Sequence, residues 1–193
     1  MGEPKLDAHQ KYTPEEYLTL EAESQEKWEF FDGQITAMSG GTRNHAVISL
    51  NAGIALGNGL RDRDCTPFGS ELKVYAEAAN AYLYPDAMVV CGAEQLQAGR
   101  NDVLMNPTLI VEVLSPSTMQ YDFVKKYDRY KRMPSLREYV LISQDQPRVE
   151  VRSSVDDWGQ IRTYEGLDSV AIFSSLSLQI PLTELYRRVT FEG

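Results

Sequence analysis

Two stretches of this sequence set a carboxylate inside or beside an apolar run. YPDAMVV, residues 84–90, carries Asp86 directly after Pro85, and LIVEVLS, residues 109–115, carries Glu112. An ionised carboxylate in a buried strand is costly unless it is paired or binds a metal. Side chains alternate along a strand, so Glu112 shares a face with Ile110 and Leu114 and points away from Val111 and Val113. If the two strands lie side by side, Asp86 and Glu112 come within reach of one cation. Hard oxygen donors of this kind suit Mg²⁺ or Mn²⁺. The competing reading pairs each carboxylate with an arginine or lysine elsewhere in the fold.

A lysine joins this pair through YDFVKKYDRYKRM, residues 121–133. Phe123, Tyr127 and Tyr130 follow one another at spacings that make the buried stripe of a helix. At about 100° per residue, Lys126 lies roughly 60° from Phe123 and Lys125 roughly 160° from it. The spacing therefore predicts Lys126 leaning over a sheet towards Glu112 and Lys125 in solvent. A snorkelling surface lysine is the alternative for Lys126.

The elements that must position these groups read as a mixed α/β chain. Thr13-Pro14-Glu15-Glu16 is a capping box that opens a helix running to about Gln25. WEFF, Asp32-Gly33 and QITAM form a hairpin with a two-residue turn. Apolar residues at helical spacing predict a second helix from about Asn44 to Leu60, in which glycines 53, 57 and 59 allow close packing. Strands are expected at 65–68, 71–76, 82–91 and 108–114, with a surface loop over 92–106. The segment SPST, residues 115–118, stops the last of these strands. A helix over about 121–132 follows, then strands near 138–143, 148–153, 160–164 and 170–173, and a short helix within 182–188. The least polar strands, 109–114 and 139–142, belong at the centre of a mixed sheet flanked by helices. Residues 12–193 read as one domain and residues 1–11 as a flexible tail.

Composition narrows the function classes. The chain has 193 residues, 42% of them hydrophobic and 24% charged, which suits one core and argues against disorder. The formal net charge of −9 argues against nonspecific coating of nucleic acid. A nucleic-acid site needs a local basic patch. Lys125, Lys126, Arg129, Lys131, Arg132 and Arg137 supply a candidate, with Arg61 and Arg63 as a smaller group. No apolar stretch approaches the roughly 20 residues of a membrane span, so no membrane partner is expected. The polar N-terminal segment lacks the apolar core of a signal peptide. Cys65 and Cys91 lie outside any CxxC pair and read as reduced, buried thiols, which makes the cytoplasm the expected compartment.

These motifs, in this order, resemble the Uma-two-type restriction endonuclease family of the PD-(D/E)xK nuclease superfamily. The resemblance rests on Tyr84-Pro85-Asp86, Glu112-Val113-Leu114-Ser115-Pro116-Ser117-Thr118, Tyr121-Asp122 with Lys126 four residues after Asp122, and Glu138-Tyr139. It also takes in Glu29 before Asp32-Gly33 and the run from Gly40 to His45, and covers roughly residues 12–185. It implies a restriction-endonuclease-like fold and metal-dependent hydrolysis of DNA phosphodiesters. Asp86, Glu112 and the Val113 carbonyl would hold Mg²⁺ or Mn²⁺, with Lys126 assisting the attacking water or the transition state. Glu29 resembles the additional acidic residue of the superfamily, and His45 also matches a family position. A homodimer is a further implication. One departure stands out: the superfamily lysine lies two residues after the acidic residue, where this chain has Leu114, and Lys126 on the next helix stands in for it. A non-catalytic interaction module that keeps the fold is the alternative.

Overall fold

The computed structural model describes Leu6 and residues 10–38, 40–115 and 121–191. Most of the expected N-terminal tail, and residues 116–118 of the SPST stop, lie outside the described residues. Helix α1 (Pro14–Glu23) is fixed by the capping box: Thr13 Oγ1 accepts from the Glu16 N–H at 3.2 Å, and the Glu16 carboxylate accepts from the Thr13 N–H at 2.8 Å. Strands β1 (Trp28–Phe31) and β2 (Gln34–Ala37) form the expected hairpin. Its turn holds Asp32 at φ 45° and Gly33 at φ 88°, the left-handed pair that a two-residue connection favours. Helix α2 (Arg43–Gly59) follows.

The chain then runs through β3 (Cys65–Gly69), β4 (Lys73–Ala76), β5 (Ala81–Leu83), β6 (Ala87–Cys91), β7 (Val103–Leu104) and β8 (Leu109–Leu114). A π-helical segment at Tyr121–Lys126 leads into α3 (Tyr127–Tyr130). Strands β9 (Glu138–Ser143), β10 (Arg148–Ser153), β11 (Ile161–Glu165), β12 (Val170–Phe173) and β13 (Leu178–Pro181) and helix α4 (Leu182–Leu185) complete it.

The larger sheet has the order β11-β10-β9-β8-β6-β3 and is mixed, because β8 and β9 run parallel while its other neighbours are antiparallel. The two strands with least polar content are its central pair, as expected. A five-stranded sheet, β2-β1-β5-β4-β7, and the hairpin β12-β13 complete the strand pairing. Alternation along β8 sorts the core. Val111 and Val113 pack with Ile48, Ala52 and Leu56 of α2, while Ile110 and Leu114 face Val74 and Leu83 of the smaller sheet together with Tyr127 and Tyr130. The larger sheet is thus covered by a helix on one face and by a second sheet and α3 on the other. Helix α1 closes the far side of the smaller sheet, with Tyr17 packed on Phe30 and Tyr82.

Four expectations are corrected, the first being the surface loop over 92–106, within which β7 pairs parallel with β4 and buries Val103 and Leu104. Residues 82–91 are not one strand: β5 belongs to the smaller sheet and β6 to the larger one. Pro85 has no N–H to give to a ladder, and the chain changes sheets across Tyr84-Pro85-Asp86. The helix expected over 121–132 begins as a π-helix, and its α-helical part is only Tyr127–Tyr130. Cys65 and Cys91 are joined in a disulfide, not reduced. They face each other across the antiparallel β3–β6 ladder with Cα atoms 4.0 Å apart, a neighbour relation that strand pairing creates and spacing along the chain does not reveal. The cysteine-based expectation of a cytoplasmic location loses its support with them. No helix among the described residues is long and apolar enough to cross a membrane.

Candidate active site

The sheet change at Pro85 is what brings the two carboxylates together. In the β6–β8 ladder Ala87 faces Val111, so continuing that antiparallel register by one residue sets Asp86 against Glu112. The Asp86 carboxylate ends the ladder in place of a backbone partner, with Oδ2 accepting from the Val113 N–H at 2.7 Å. The N–H and C=O of one strand residue point to the same edge, so the Val113 carbonyl also faces the Asp86 side of β8. Consistently, the next carbonyl, that of Leu114, accepts from Gln144 on the β9 side.

Lys126 reaches into this corner from the π-helical segment. Its Nζ stands 3.1 and 3.2 Å from the two Glu112 oxygens, 3.0 Å from Glu29 Oε1 and 3.6 Å from Asp122 Oδ1. All four residues are buried. Lys125 is exposed, as its angular position predicts. Tyr130 Oη donates to Glu112 Oε1 at 3.2 Å. Glu29 accepts from the Tyr84 backbone N–H and from Tyr121 Oη, both at 3.2 Å. Arg129 in turn donates to Tyr121 Oη at 2.6 Å and lies over the Phe31 ring. On the other side of Asp86, His45 Nε2 lies 3.3 Å from Oδ2. Thr42, which caps α2 by accepting from the His45 N–H, holds that histidine at the helix start.

These groups open onto a cleft of about 290 Å³ whose lining includes Glu29, His45, Asp86, Glu112, Asp122 and Lys126. Its electrostatics are those of a site short of positive charge. Burial pushes the Glu112 carboxyl well above the usual range; Lys126 pulls it back, while Asp122, Asp86 and Glu29 push it further up. Burial disfavours the Lys126 ammonium, yet Glu112 and then Glu29 hold its pKa well above the ordinary lysine value. The hydrogen bond to Asp86 raises the His45 pKa against the effect of burial. Tyr121 is pushed up to about 12, first by burial and then by Glu29.

Every residue singled out from the sequence for the site therefore meets here: Asp86, Glu112, Lys126, Glu29, His45 and the Val113 backbone. Asp122 and Tyr130 were not singled out for a role. Their signal was available, since both stand four residues from Lys126 along one segment and so share its side. Among the described residues, no three His, Cys, Asp or Glu side chains converge as a ready-made metal cage. The basic cluster is weaker than the sequence suggested. Lys126 and Arg129 are buried, and Lys131 and Arg132 pair with Asp128 at 2.9 and 2.7 Å. Arg63 is spent on the Leu176 and Ser177 carbonyls. Lys125 and Arg137 stay exposed.

A family model described as "Uma2: Putative restriction endonuclease" matches residues 14–183. The chain belongs to the Uma2 family. Two similar proteins come from Synechocystis. The uncharacterized protein slr1290 is 36% identical over 183 residues, covering 94% of each chain, and the uncharacterized protein sll1609 is 34% identical over 145 residues, covering 75% of this chain and 82% of its own. Among solved structures, a putative nuclease of the DUF820 group from Anabaena variabilis superposes with a TM-score of 0.77 at 18% identity, over 93% of this chain and 99% of that one. That likeness establishes a shared mixed α/β fold for this Uma2 chain, in agreement with the expected architecture.

Proposed function

We propose that this chain is a Mg²⁺- or Mn²⁺-dependent endonuclease that hydrolyses DNA phosphodiester bonds in the cleft between Asp86, Glu112 and Lys126. One observation carries the reading: the β6–β8 register sets Asp86 against Glu112, and Lys126 stands 3.1 Å from Glu112. Membership in a family described as restriction endonucleases supports it. The donor set fits a hard divalent cation. Two carboxylates and the Val113 carbonyl are oxygen ligands, and Mg²⁺ bound by so few protein groups keeps several waters. The electrostatics fit as well, because a cation beside Glu112 would relieve the burial and like-charge repulsion that raise its pKa.

Such a cation would supply charge neutralisation at a phosphoryl oxygen and acidification of a water. The chain's own residues do the rest. Glu29 and Glu112 hold Lys126 charged and aimed into the cleft, where its ammonium orients the attacking water or offsets charge building at phosphorus. His45 donates to Asp86 and fixes its orientation. Tyr130 fixes one oxygen of Glu112. Lys125 and Arg137 offer the exposed positive charge for a phosphate backbone, and the acidic remainder makes that binding weak and salt-sensitive.

The second reading is a non-catalytic interaction module. It is favoured by the way Lys126 already satisfies three carboxylates within 3.6 Å, as a structural ion pair would. Incubation of the purified protein with supercoiled and linear DNA in Mg²⁺ or Mn²⁺ separates the two. The nuclease reading predicts metal-dependent nicking that Asp86→Ala, Glu112→Gln and Lys126→Ala each remove while the fold persists. Absence of cleavage on every DNA form, or equal cleavage by the variants, rules it out in favour of the second.

A further inference from the structure

Four basic side chains are buried among the described residues: Lys73, Lys126, Arg129 and Arg152. Three of them have an oxygen partner, Lys73 and Lys126 in carboxylates and Arg129 in the Tyr121 hydroxyl. Arg152 is the exception. It is 9% exposed, and among the described residues it donates no hydrogen bond and makes no ion pair. Glu150, two residues earlier on the same face of β10, accepts from Arg148 at 2.9 and 2.5 Å instead. An unpaired buried cation is costly, and a chain with 28 acidic residues has carboxylates enough to pair it. What Arg152 has is two rings. Its Cζ lies 4.3 Å from the Phe123 ring centroid and 4.1 Å from that of Tyr127. Tyr127 is itself fixed, because its Oη donates to the Trp158 carbonyl at 3.0 Å. Rings attract the face of a guanidinium, but its N–H donors lie in the plane and still need acceptors. Arg129 shows the completed arrangement, since it lies over the Phe31 ring and also donates to Tyr121.

We propose that Arg152 binds a phosphate of the nucleic-acid strand that enters the cleft, with Phe123 and Tyr127 holding its guanidinium in place to donate to a phosphate oxygen. Arginine suits that ligand, because its fork of donors matches phosphate oxygens. Its place in the fold gives the strand a path. Phe123 and Tyr127 directly follow Asp122 and Lys126, which line the cleft. Arg152 pairs with Tyr139 across β9 and β10, and Tyr139 Oη donates to the Asp122 carbonyl at 2.9 Å. Glu112 pairs with Leu141, two residues further along β9. Two strand spacings of about 4.8 Å and two residues of about 3.3 Å rise set the Arg152 backbone roughly 12 Å from that of Glu112. A nucleic-acid strand carries one charge for every ~3.4 Å of helix axis, so that distance spans a few nucleotides. Arg137 continues the path. It is exposed, makes no ion pair among the described residues, and its carbonyl accepts from the Ser154 N–H at 2.9 Å, two residues beyond Arg152. The inference rests on the reading of the cleft as a nucleic-acid site, but not on cleavage taking place there.

Fluorescence anisotropy of a labelled oligonucleotide, duplex or single strand, in EDTA from about 20 to about 200 mM salt reads this without cleavage. Arg152→Met should weaken duplex binding about tenfold at about 50 mM salt and lower the slope of log K against log salt by about 0.9, whatever the sequence. Arg152→Lys should keep most of that slope, because the charge remains. Arg187→Met makes the same loss of charge next to Tyr186, on the α2 side of the larger sheet, and should leave affinity and slope unchanged. Thermal unfolding separates a binding role from a structural one. Arg152→Met should hold or raise the melting temperature, because it removes a buried cation that has no partner. An Arg152→Met chain that binds with the wild-type slope, or that melts well below wild type, overturns the proposal. So does an equal slope change in Arg187→Met, or a wild type that binds neither duplex nor single strand at about 20 mM salt. A wild type that binds through Arg152 yet never cleaves with Mg²⁺ or Mn²⁺ supports this proposal and contradicts the nuclease reading alone.

Discussion

Lys73 and Lys126 are both buried lysines surrounded by carboxylates, yet their surroundings differ. Lys73 lies 2.9 Å from Glu21 and 2.7 Å from Asp102, and Arg100 makes a second ion pair with Asp102 at 2.6 Å. Two carboxylates there meet two cations. Tyr84 Oη completes the set by contacting Glu21 and Lys73, and none of the charged members lines the cleft. Lys126 instead faces Glu29, Glu112 and Asp122, with Asp86 opposite Glu112, and all of them line the cleft. The first cluster is balanced and closed; the second is short of positive charge and open. Tyr84 joins the two, since its ring and hydroxyl belong to the Lys73 cluster while its backbone N–H holds Glu29. The balanced cluster thus supports the unbalanced one. A buried carboxylate signals function when its surroundings leave charge uncompensated beside a cavity, and structure when they do not.

The contrast can be broken experimentally, and the largest effect is expected at Glu112. Glu112→Gln should lower metal-dependent DNA cleavage by about 10³-fold or more, as loss of a central electrostatic group does. Its melting temperature should hold or rise, because the change removes a buried charge already in excess. Lys73→Met should do the reverse. It leaves Glu21 and Asp102 without their shared partner and should cost about 3–5 kcal/mol in urea denaturation. Lys126→Met is expected to fall between these, with cleavage down about 10²–10³-fold and a stability loss that millimolar Mg²⁺ partly recovers. No such recovery is expected for Lys73→Met, which sharpens the distinction between an open and a closed cluster.

The smallest effect belongs to Asp102→Asn. The Arg100 hydrogen bond, against burial and with help from Lys73, holds Asp102 down at about 2 from an ordinary 3.8. A carboxyl whose pKa is depressed by folding stabilises the native state above its unfolded pKa, and that contribution fades as pH falls through the folded value. Acid titration monitored by fluorescence should therefore show wild type more stable than Asp102→Asn at neutral pH. The gap should close between about pH 4 and about pH 2.

Much of this was legible in the sequence where the signal is local. The Thr13–Glu16 capping box, the Asp32-Gly33 hairpin and the alternation that sorts Glu112 from Val111 and Val113 all depend on residues close together in the chain. Lys126 was separable from Lys125 by angle alone, although the segment begins as a π-helix, because the buried tyrosines fix which side faces the sheet. What pairing decides was not legible. The disulfide joins residues that only the β3–β6 register makes neighbours. The meeting of Glu29 with Lys126 depends on Tyr84 crossing between two sheets, which an apolar run over 82–91 conceals. The basic cluster misled because sequence does not show that Arg129 folds under Phe31 and Tyr121 or that Asp128 captures Lys131 and Arg132.

Calorimetric titration of Mn²⁺ into the folded protein tests the central claim most directly, because it asks whether the uncompensated charge beside the cleft holds a cation. One bound ion is expected for wild type and for Asp102→Asn, and none for Asp86→Ala or Glu112→Gln. A wild type that binds no Mn²⁺, or a Glu112→Gln variant that binds it as wild type does, would contradict the account.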